Sequence, residues 1–331
     1  MASRLSRRQV CAGLLTASAF AFSPREGLTM PRLRAATLKF GTVNWLLDVI
    51  THHGLDDAEG FKLDILELAS TNATQVALLA NEVELIVADW FWVMRQRALG
   101  GDLKFMPYSA ALGSVVVQPV SPVMAVSDLK GARIGVAGGP LDKSWLLLRA
   151  YSKTQGLGDI AAVATPVFGA PPLLNEQIKA GRVDALLNYW HFAARLEAEG
   201  YRRVITVSDM MQAVGIQTVL PLVGFVFPAR LSEGDSRVAR GFANAMQNAQ
   251  KRLLTSDEEW GRIRPLMNAS SDAEFNTLRE RFREGLLHTW GQRDREAAAR
   301  LFDILAEIGG GELTGAGVTF DPKAFWDGLV F

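Results

Sequence analysis

The sequence has little cysteine, no excess of charge of either sign and no long apolar run. One cysteine in 331 residues cannot form an internal disulfide bond or a cysteine-based metal site. Basic and acidic residues number 35 each, so the chain offers no broad positive surface for nucleic acid. No segment approaches the roughly 18 apolar residues of a membrane-spanning helix. What remains, with 49% hydrophobic and 21% charged residues, is the composition of a folded globular protein.

The N-terminus predicts export from the cytoplasm. Three arginines precede a weakly apolar stretch at residues 10–22, and small residues follow at cleavage-type spacing. The segment Ser6-Arg7-Arg8-Gln9-Val10 is similar to a twin-arginine export signal. We therefore expect residues 1–21 to be a signal peptide, the chain to about residue 30 to be disordered, and the mature protein to be periplasmic. Removal of the signal peptide would leave 32 basic against 35 acidic residues and would delete Cys11.

Strand-like and helix-like segments alternate with short loops from about residue 33 to 230. Residues 61–68 alternate apolar and polar side chains as a strand does, and residues 90–99 have helical spacing before Gly100. This repeated order predicts an α/β fold with mainly parallel sheets flanked by helices. After Ser232 the pattern becomes helical and predicts a tail that covers one lobe. The predicted tail helices are 236–254, 257–267, 272–287 and 292–308.

Four stretches in order resemble a known family. They are Gly41-Thr42-Val43-Asn44-Trp45 with Gly60-Phe61-Lys62-Leu63-Asp64, then Ala80-Asn81-Glu82-Val83-Glu84-Leu85-Ile86-Val87-Ala88-Asp89, then Ser127-Asp128-Leu129-Lys130-Gly131-Ala132-Arg133-Ile134-Gly135-Val136, and Ala180-Gly181-Arg182-Val183-Asp184-Ala185-Leu186-Leu187. Together they resemble periplasmic solute-binding proteins of ABC importers. The nearest group is the nitrate, sulfonate and taurine (NitT/TauT) family, which also includes receptors for thiamine-pyrimidine precursors.

The resemblance implies a type II periplasmic-binding-protein fold, in which two α/β lobes close on a ligand by hinge motion. One lobe would comprise residues 31–118 and 218–331, and the other residues 119–217. The implied function is that of a substrate-binding protein that captures a small organic solute and delivers it to a membrane permease with a cytoplasmic ATPase. The resemblance implies a monomer without catalytic residues, cofactor or nucleic-acid partner.

The predicted ligand site lies beyond the carboxyl ends of the strands, where open α/β sheets bind their ligands. Five loops contribute to it, and they hold five of the eight tryptophans of the chain. The candidate ligand-binding residues are Thr42, Asn44, Trp45, Ser70, Thr71, Asn72, Asp89, Trp90, Gly138, Gly139, Asp142, Trp145, Asn188, Tyr189 and Trp190.

The chemistry of these loops favours a ring or an amine over nitrate. Aromatic faces suit a flat ring or a cation, although some of these rings could be core residues, and we expect only one of Trp90 and Trp92 in the cleft. Asp89 and Asp142 could bind an amine or cap helices, whereas Lys143 could hold a carboxylate or sulfonate. Free N–H groups at helix starts suit an anion. No basic residue stands out as a dedicated anchor for a strong anion.

Other functions are excluded or kept as alternatives. His52 and His53 point in different directions on a helix, so no metal site is predicted. The sequence contains neither a Walker-type phosphate loop nor a Gly-x-Ser-x-Gly elbow. Two alternatives remain, an accessory protein of a periplasmic oxidoreductase and a pyrimidine-related enzyme. The enzyme would need a converging acid or base, such as Asp89 with His191.

Overall fold

The computed structural model describes residues 30–233, 237–329 and 331, so the predicted signal peptide lies outside the described residues. The described strands form two five-stranded sheets. The strands are β1 (Arg32–Leu38), β2 (Lys62–Leu68), β3 (Leu85–Asp89), β4 (Leu103–Ser109), β5 (Ser114–Val117), β6 (Arg133–Ala137), β7 (Thr165–Gly169), β8 (Ala185–Asn188), β9 (Arg202–Thr206) and β10 (Val223–Pro228).

Helices flank both sheets, and the sequence from residue 237 onward is mostly helical. The helices are α1 (Val43–His52), α2 (Leu55–Ala58), α3 (Thr71–Leu79), α4 (Trp90–Ala98), α5 (Lys143–Thr154), α6 (Ile160–Val163), α7 (Pro171–Lys179), α8 (Trp190–Ala198), α9 (Val207–Ala213), α10 (Val238–Thr255), α11 (Asp257–Met267), α12 (Asp272–Glu284) and α13 (Gln292–Thr314). This confirms the predicted mixed α/β fold with two sheets, each flanked by helices.

The first sheet has the strand order β2-β1-β3-β10-β4. Strand β1 pairs in parallel with β2 and β3, whereas β10 runs antiparallel to both β3 and β4. Four of its five strands therefore point the same way. Their carboxyl ends lie at one edge, where Asp89 pairs with Val223 at the end of the ladder.

The second sheet repeats this arrangement with the order β7-β6-β8-β5-β9. Here β5 is the antiparallel strand, and Ser114 pairs with both Asn188 and Thr206. The predicted lobe boundary at residue 118 had placed β5 with the first lobe, but its hydrogen bonds place this strand in the second sheet. By strand pairing, the chain crosses to the second sheet at residues 110–113 and returns to the first sheet between β9 and β10, at residues 207–222. Hereafter the first and second lobes denote the first and second sheets with their flanking helices.

Several element boundaries differ from the sequence predictions. The strand β7 starts only at Thr165, because the residues before it form the short helix α6, in which the Asp159 side chain accepts the Ala161 N–H. Helix α9 was not predicted. Helix α13 runs past the predicted end at residue 308, with a break at Gly310, where φ is +60°.

The C-terminal helices contact both lobes. Helix α10 packs against α1 of the first lobe, whereas α12 packs against α8 of the second lobe, and α13 contacts both α4 and α5. The predicted helical tail therefore contacts both lobes and does not cover one lobe alone. No helix within the described residues is long and apolar enough to span a membrane.

Candidate functional site

Asp89 joins the two lobes. It ends β3 and caps α4, because its Oδ1 accepts the Trp92 N–H at 2.9 Å. Its Oδ2 lies 2.9 Å from Nζ of Lys143, the first residue of α5 in the second lobe, and these side chains are 19% and 21% exposed. Burial raises the pKa of the Asp89 carboxyl, but the Lys143 ammonium, the Trp92 N–H and the Arg95 guanidinium together outweigh this effect, so the pKa lies below its usual value. Asp89 and Lys143 therefore form a charged bridge between the lobes.

Asp142 organises the neighbouring loop of the second lobe. Its Oδ1 caps α5 by accepting the Ser144 N–H at 2.9 Å and the Trp145 N–H at 3.3 Å. Its Oδ2 accepts the Tyr189 hydroxyl at 3.3 Å. Burial raises the pKa of the Asp142 carboxyl. Gly138 has φ +87°, and a Cβ there would lie 3.1 Å from Tyr189 Oη, so only glycine fits this turn without strain.

A cavity of about 290 Å³ lies between the two lobes. One wall is the start of α1 and the end of α11, and the other wall is α8. Its lining is mainly aromatic and apolar, with one imidazole and one guanidinium. The lining residues are Phe40, Thr42, Trp45, His191, Phe192, Arg195, Leu266, Met267 and Asn268.

His191 is the unsatisfied polar group of this cavity. Its Nδ1 is buried and has no hydrogen-bond partner among the described residues. Burial, with a smaller contribution from Arg195, lowers the pKa of His191 to about 3, so the imidazole is neutral at physiological pH. A neutral imidazole can donate one hydrogen bond and accept another. It therefore offers an uncharged anchor for a polar group of a solute.

Arg195 is already neutralised. Its guanidinium forms an ion pair with Glu274 of α12, which is 8% exposed. It also donates to the carbonyl oxygens of Met267 at 2.8 Å and Asn268 at 3.1 Å. These contacts tie α8 of the second lobe to α11 and α12. Arg195 shapes the cavity but has its charge and several of its donors engaged within the protein.

Trp45 and Trp190 meet between the lobes. Their ring centroids lie 6.0 Å apart with perpendicular planes, and Trp260 packs on Trp45 in the same edge-to-face manner. The Trp45 Nε1–H donates to the Leu266 carbonyl oxygen at 3.3 Å. Trp45 is 3% exposed, so only a small part of this ring reaches the cavity.

Other predicted tryptophans lie in the core. Trp90 is fully buried, with its Nε1–H donating to the Pro221 carbonyl oxygen at 3.1 Å, and Trp145 is 2% exposed. Trp92 is 6% exposed, and neither Trp90 nor Trp92 lines the two cavities described here, so the expectation that one of them faces the cleft stays a prediction. A large ring with a satisfied N–H gains most from complete burial, which explains the position of Trp90.

Asn188 and Asn44 have structural contacts. Asn188 is 1% exposed, and its Nδ2 donates to Asn175 Oδ1 at 2.8 Å and to the Pro171 carbonyl oxygen at 3.1 Å. The Asn44 Nδ2 donates to the Leu38 carbonyl oxygen at 3.0 Å. These bonds fix the loops that follow β8 and β1.

The loop after β2 also serves local structure. Ser70 caps α3 by accepting the Ala73 N–H at 3.2 Å, whereas Thr71 and Asn72 are exposed at the start of that helix. Gly139 supports the turn before α5, because its carbonyl oxygen accepts the Asp142 N–H at 2.9 Å.

The sequence reasoning did not include several cavity residues in the ligand site, although it named His191 as a candidate acid or base of the alternative enzyme. His191 and Arg195 stand one turn apart just after a predicted strand end, a spacing that could have indicated a shared face. Phe40 lies two residues before Thr42, where a candidate loop begins. Residues 266–268 had no local signal, because they belong to the tail and meet α8 only through the fold.

A separate cavity of about 230 Å³ borders another face of α8, and Trp190 is the only predicted site residue along it. Its charged side chains are paired with one another. Glu197 Oε2 lies 3.2 Å from Arg203 Nη2 and 3.0 Å from Arg281 Nε. Across the described part of the chain, no group of three or more histidine, cysteine, aspartate or glutamate side chains could hold a metal ion.

Comparison with solved structures shows the fold. The periplasmic aliphatic sulphonate binding protein SsuA from Escherichia coli matches with a TM-score of 0.68 and 17% identity, covering 89% of this chain and 93% of that chain. The alkanesulfonate-binding protein SsuA from Xanthomonas axonopodis pv. citri, bound to MOPS, matches with a TM-score of 0.65 and 19% identity, over 89% and 98% of the chains. The desulfurization enzyme DSZB matches with a TM-score of 0.61 and 15% identity, over 90% and 97%.

Sequence comparison identifies the family. No curated protein matches this chain. Residues 51–259, more than half of the chain, match the family model described as NMT1/THI5 like. This region includes β3, both sides of the Asp89–Lys143 bridge and helix α8. The chain therefore belongs to the NMT1/THI5-like family and has the two-lobed fold of periplasmic binding proteins.

Proposed function

We propose that this protein is the periplasmic substrate-binding component of an ABC importer and captures a small organic solute between its lobes. The observation that carries the proposal is the cavity of about 290 Å³, with walls from α1 and α11 on one side and α8 on the other. A solute bound there would contact both lobes and would stabilise the closed arrangement. This is how ligand binding drives hinge closure in two-lobed receptors.

The cavity favours a small, ring-containing solute. Its volume is near the lower end of ligand pockets, which span roughly 300–1,000 Å³. Phe40, Trp45 and Phe192 provide aromatic surface, and His191 provides a neutral hydrogen-bonding group. Flat rings stack on or pack edge-to-face against such side chains. Amine- and sulfonate-bearing solutes belong to the same broad class of candidates.

Export and delivery complete the proposal. The likeness to periplasmic sulphonate-binding proteins supports a periplasmic location and a permease with a cytoplasmic ATPase as partners. Residues 1–21 would direct export by the twin-arginine route. We propose that the receptor acts as a monomer and that its lobes follow the two sheets, with the chain crossing between them at residues 110–113 and again at residues 207–222.

The test is a search for a bound solute. Native mass spectrometry of the purified mature protein would identify a co-purified ligand, and a thermal-shift screen of ring compounds, amines and sulfonates would follow. A ligand at 100 times its dissociation constant adds about 2.7 kcal/mol to the free energy of unfolding. If no solute co-purifies and none raises the melting temperature, the receptor function is refuted.

A matched pair of variants tests the cavity. Phe192→Ala removes an aromatic wall and should weaken binding of the identified solute at least tenfold. Phe168→Ala removes a ring that is 38% exposed and lies outside the cavity, and it should leave the affinity within about twofold. Equal effects of the two substitutions would contradict this location of the site.

The likeness to DSZB favours one second candidate, an enzyme that acts on a ring compound in the same cleft. The predicted pair of Asp89 and His191 gives this candidate little support, because Asp89 is bound to Lys143 while His191 lines the cavity. Prolonged incubation of protein and solute, followed by mass analysis, separates the two functions. Release of unchanged solute supports the receptor, and a product of different mass supports the enzyme.

A further inference from the structure

The cavity of about 290 Å³ carries polar side chains with free hydrogen-bonding capacity on both of its walls. On the wall of the first lobe, the Thr42 side chain precedes α1 without capping it, and its hydroxyl has no hydrogen-bond partner among the described residues. On the wall of the second lobe, the His191 imidazole lacks a partner within the same part of the chain, and its Nδ1 is buried. Buried polar groups in native proteins usually have partners, so unpaired groups that line a cavity indicate where a ligand binds.

The other polar groups of the lining are occupied or exposed to water. The backbone carbonyl oxygens of residues 266–268 accept hydrogen bonds from Trp45 at 3.3 Å and from Arg195 at 2.8 and 3.1 Å. The Asn268 side chain is exposed, so water can satisfy it. A solute enclosed in the cavity is therefore left with the hydroxyl of one lobe and the imidazole of the other as hydrogen-bonding partners.

The two walls approach each other closely beside these groups. Thr42 lies three residues before Trp45, and His191 directly follows Trp190. The ring centroids of these two tryptophans lie 6.0 Å apart. Side chains three residues apart at a helix start lie on the same side of it. We therefore expect a single small solute to reach both the hydroxyl and the imidazole.

The residues that line the cavity offer no unpaired charge. Arg195 is the one charged side chain among them, and its guanidinium forms an ion pair with Glu274. An ionic solute would lose its hydration in the cavity without gaining a counter-charge of its own, which is costly. An uncharged solute loses only its hydrogen bonds to water, and the hydroxyl and the imidazole can replace these. The lining therefore favours an uncharged solute.

We infer that Thr42 and His191 together select the solute, and that the cavity takes an uncharged ring compound with polar groups at two edges of the ring. The inference rests on the proposed solute-binding function. One polar group binds the Thr42 hydroxyl and the other binds the His191 imidazole, while the ring lies against Phe40 and Phe192. Such a solute joins the two lobes by hydrogen bonds, whereas a ring with one polar group leaves one partner unsatisfied.

The test compares ring compounds that differ in their polar groups. Resorcinol and hydroquinone carry two hydroxyl groups at different spacings and phenol carries one, and all three are uncharged at neutral pH. Titration calorimetry should show the better of the two diols binding at least fivefold more tightly than phenol, because the diol satisfies both partners. Benzoate and benzylammonium, the anionic and cationic probes, should bind at least tenfold more weakly than that diol.

Variants of each partner make the result specific. Thr42→Val and His191→Phe should each reduce the preference for the diol over phenol to less than twofold, because only one partner remains. Thr42→Ser and His191→Gln keep a hydrogen-bonding group and should retain the preference. Thr51→Val is the matched control, since Thr51 lies on the same helix α1 but is exposed, and its hydroxyl donates to the Leu47 carbonyl oxygen at 3.2 Å. If His191→Phe does not fold, Thr42→Val still tests the preference.

The outcomes distinguish this inference from the proposed function. The inference is overturned if phenol binds the wild type as tightly as the better diol, if Thr42→Val or His191→Phe keeps the preference, or if an ionic probe binds as tightly as the diol. Loss of the preference in both of these variants, with Thr51→Val unchanged, supports it. A charged or ringless solute whose binding Phe192→Ala weakens would support the receptor function and overturn this inference alone. A wild type that binds no solute at all overturns both.

Discussion

Gly113 is expected to be intolerant of any side chain. It lies where the chain crosses between the sheets, directly before β5. A Cβ at this position would lie 2.1 Å from the carbonyl oxygen of Asn188 and 3.0 Å from its carbonyl carbon. Real Cβ contacts are essentially never shorter than 3.0 Å, so the two backbone segments would have to separate by about 0.9 Å. The Gly113 carbonyl oxygen also accepts the Val207 N–H at 3.0 Å, which limits this movement.

Gly113→Ala should therefore lower the free energy of unfolding by about 3 kcal/mol, at the upper end of the usual cost of overpacking. The control is Gly261→Ala in the interior of α11, where an added Cβ meets nothing within 4 Å. That substitution should raise stability by about 0.5–1 kcal/mol, because alanine favours a helix. Urea unfolding with matched m-values measures both changes. A Gly113→Ala variant within about 0.5 kcal/mol of the wild type would refute the packing argument.

Three further predictions concern the cleft. The pKa of His191 is about 3 in the folded protein, whereas in the unfolded chain the imidazole binds a proton near pH 6.5. The free energy of unfolding should therefore fall as the pH drops from about 6.5 to about 3. His191→Gln should reduce this loss, which urea titrations at several pH values measure. Trp145→Ala should lower the free energy of unfolding by about 3–5 kcal/mol, because it leaves a cavity in place of a ring that is 2% exposed. Tyr189→Phe should lower it by less than about 1 kcal/mol, because this residue is 37% exposed and loses one hydroxyl group. Thermal or urea unfolding measures both changes. Arg195→Met should lower the free energy of unfolding by about 3 kcal/mol, because it leaves the buried Glu274 carboxylate without its cation. Adding Glu274→Gln should restore much of this stability. A double variant as unstable as Arg195→Met alone would contradict this account.

The sequence was sufficient for most of the element order, though not for helix α9, because most elements carry local signals. Asp89 marks the start of α4 as a capping residue, and the structure shows that cap at 2.9 Å from Trp92 N–H. The assignment of β5 to a sheet had no such signal. Its partners β8 and β9 lie about 70 residues or more further along the chain, so its position depends on pairing that no local pattern encodes.

The candidate site was predicted only in part, since Thr42 and Trp45 are the predicted residues that line the cavity of about 290 Å³. Asp89, Asp142 and Tyr189 do lie at the carboxyl ends of strands, as expected from the alternation of strands and helices. The sequence offered each as a ligand contact or a structural residue, and it could not show that Asp89 meets Lys143 across two sheets. The tryptophans raised the same difficulty, because a ring suits a core as well as a cleft, and Trp90 is buried.

The ion pair between Asp89 and Lys143 restricts how the lobes can separate. It joins the end of β3 in the first lobe to the start of α5 in the second, so opening the lobes at this point has to part the two charges. Parting such poorly solvated charges leaves each of them without compensation, which is costly. A solute that fits within about 290 Å³ allows the lobes to stay closed with this pair intact, whereas a larger solute would hold the lobes further apart. The ion pair thus favours small solutes independently of the aromatic lining of the cavity, which favours rings.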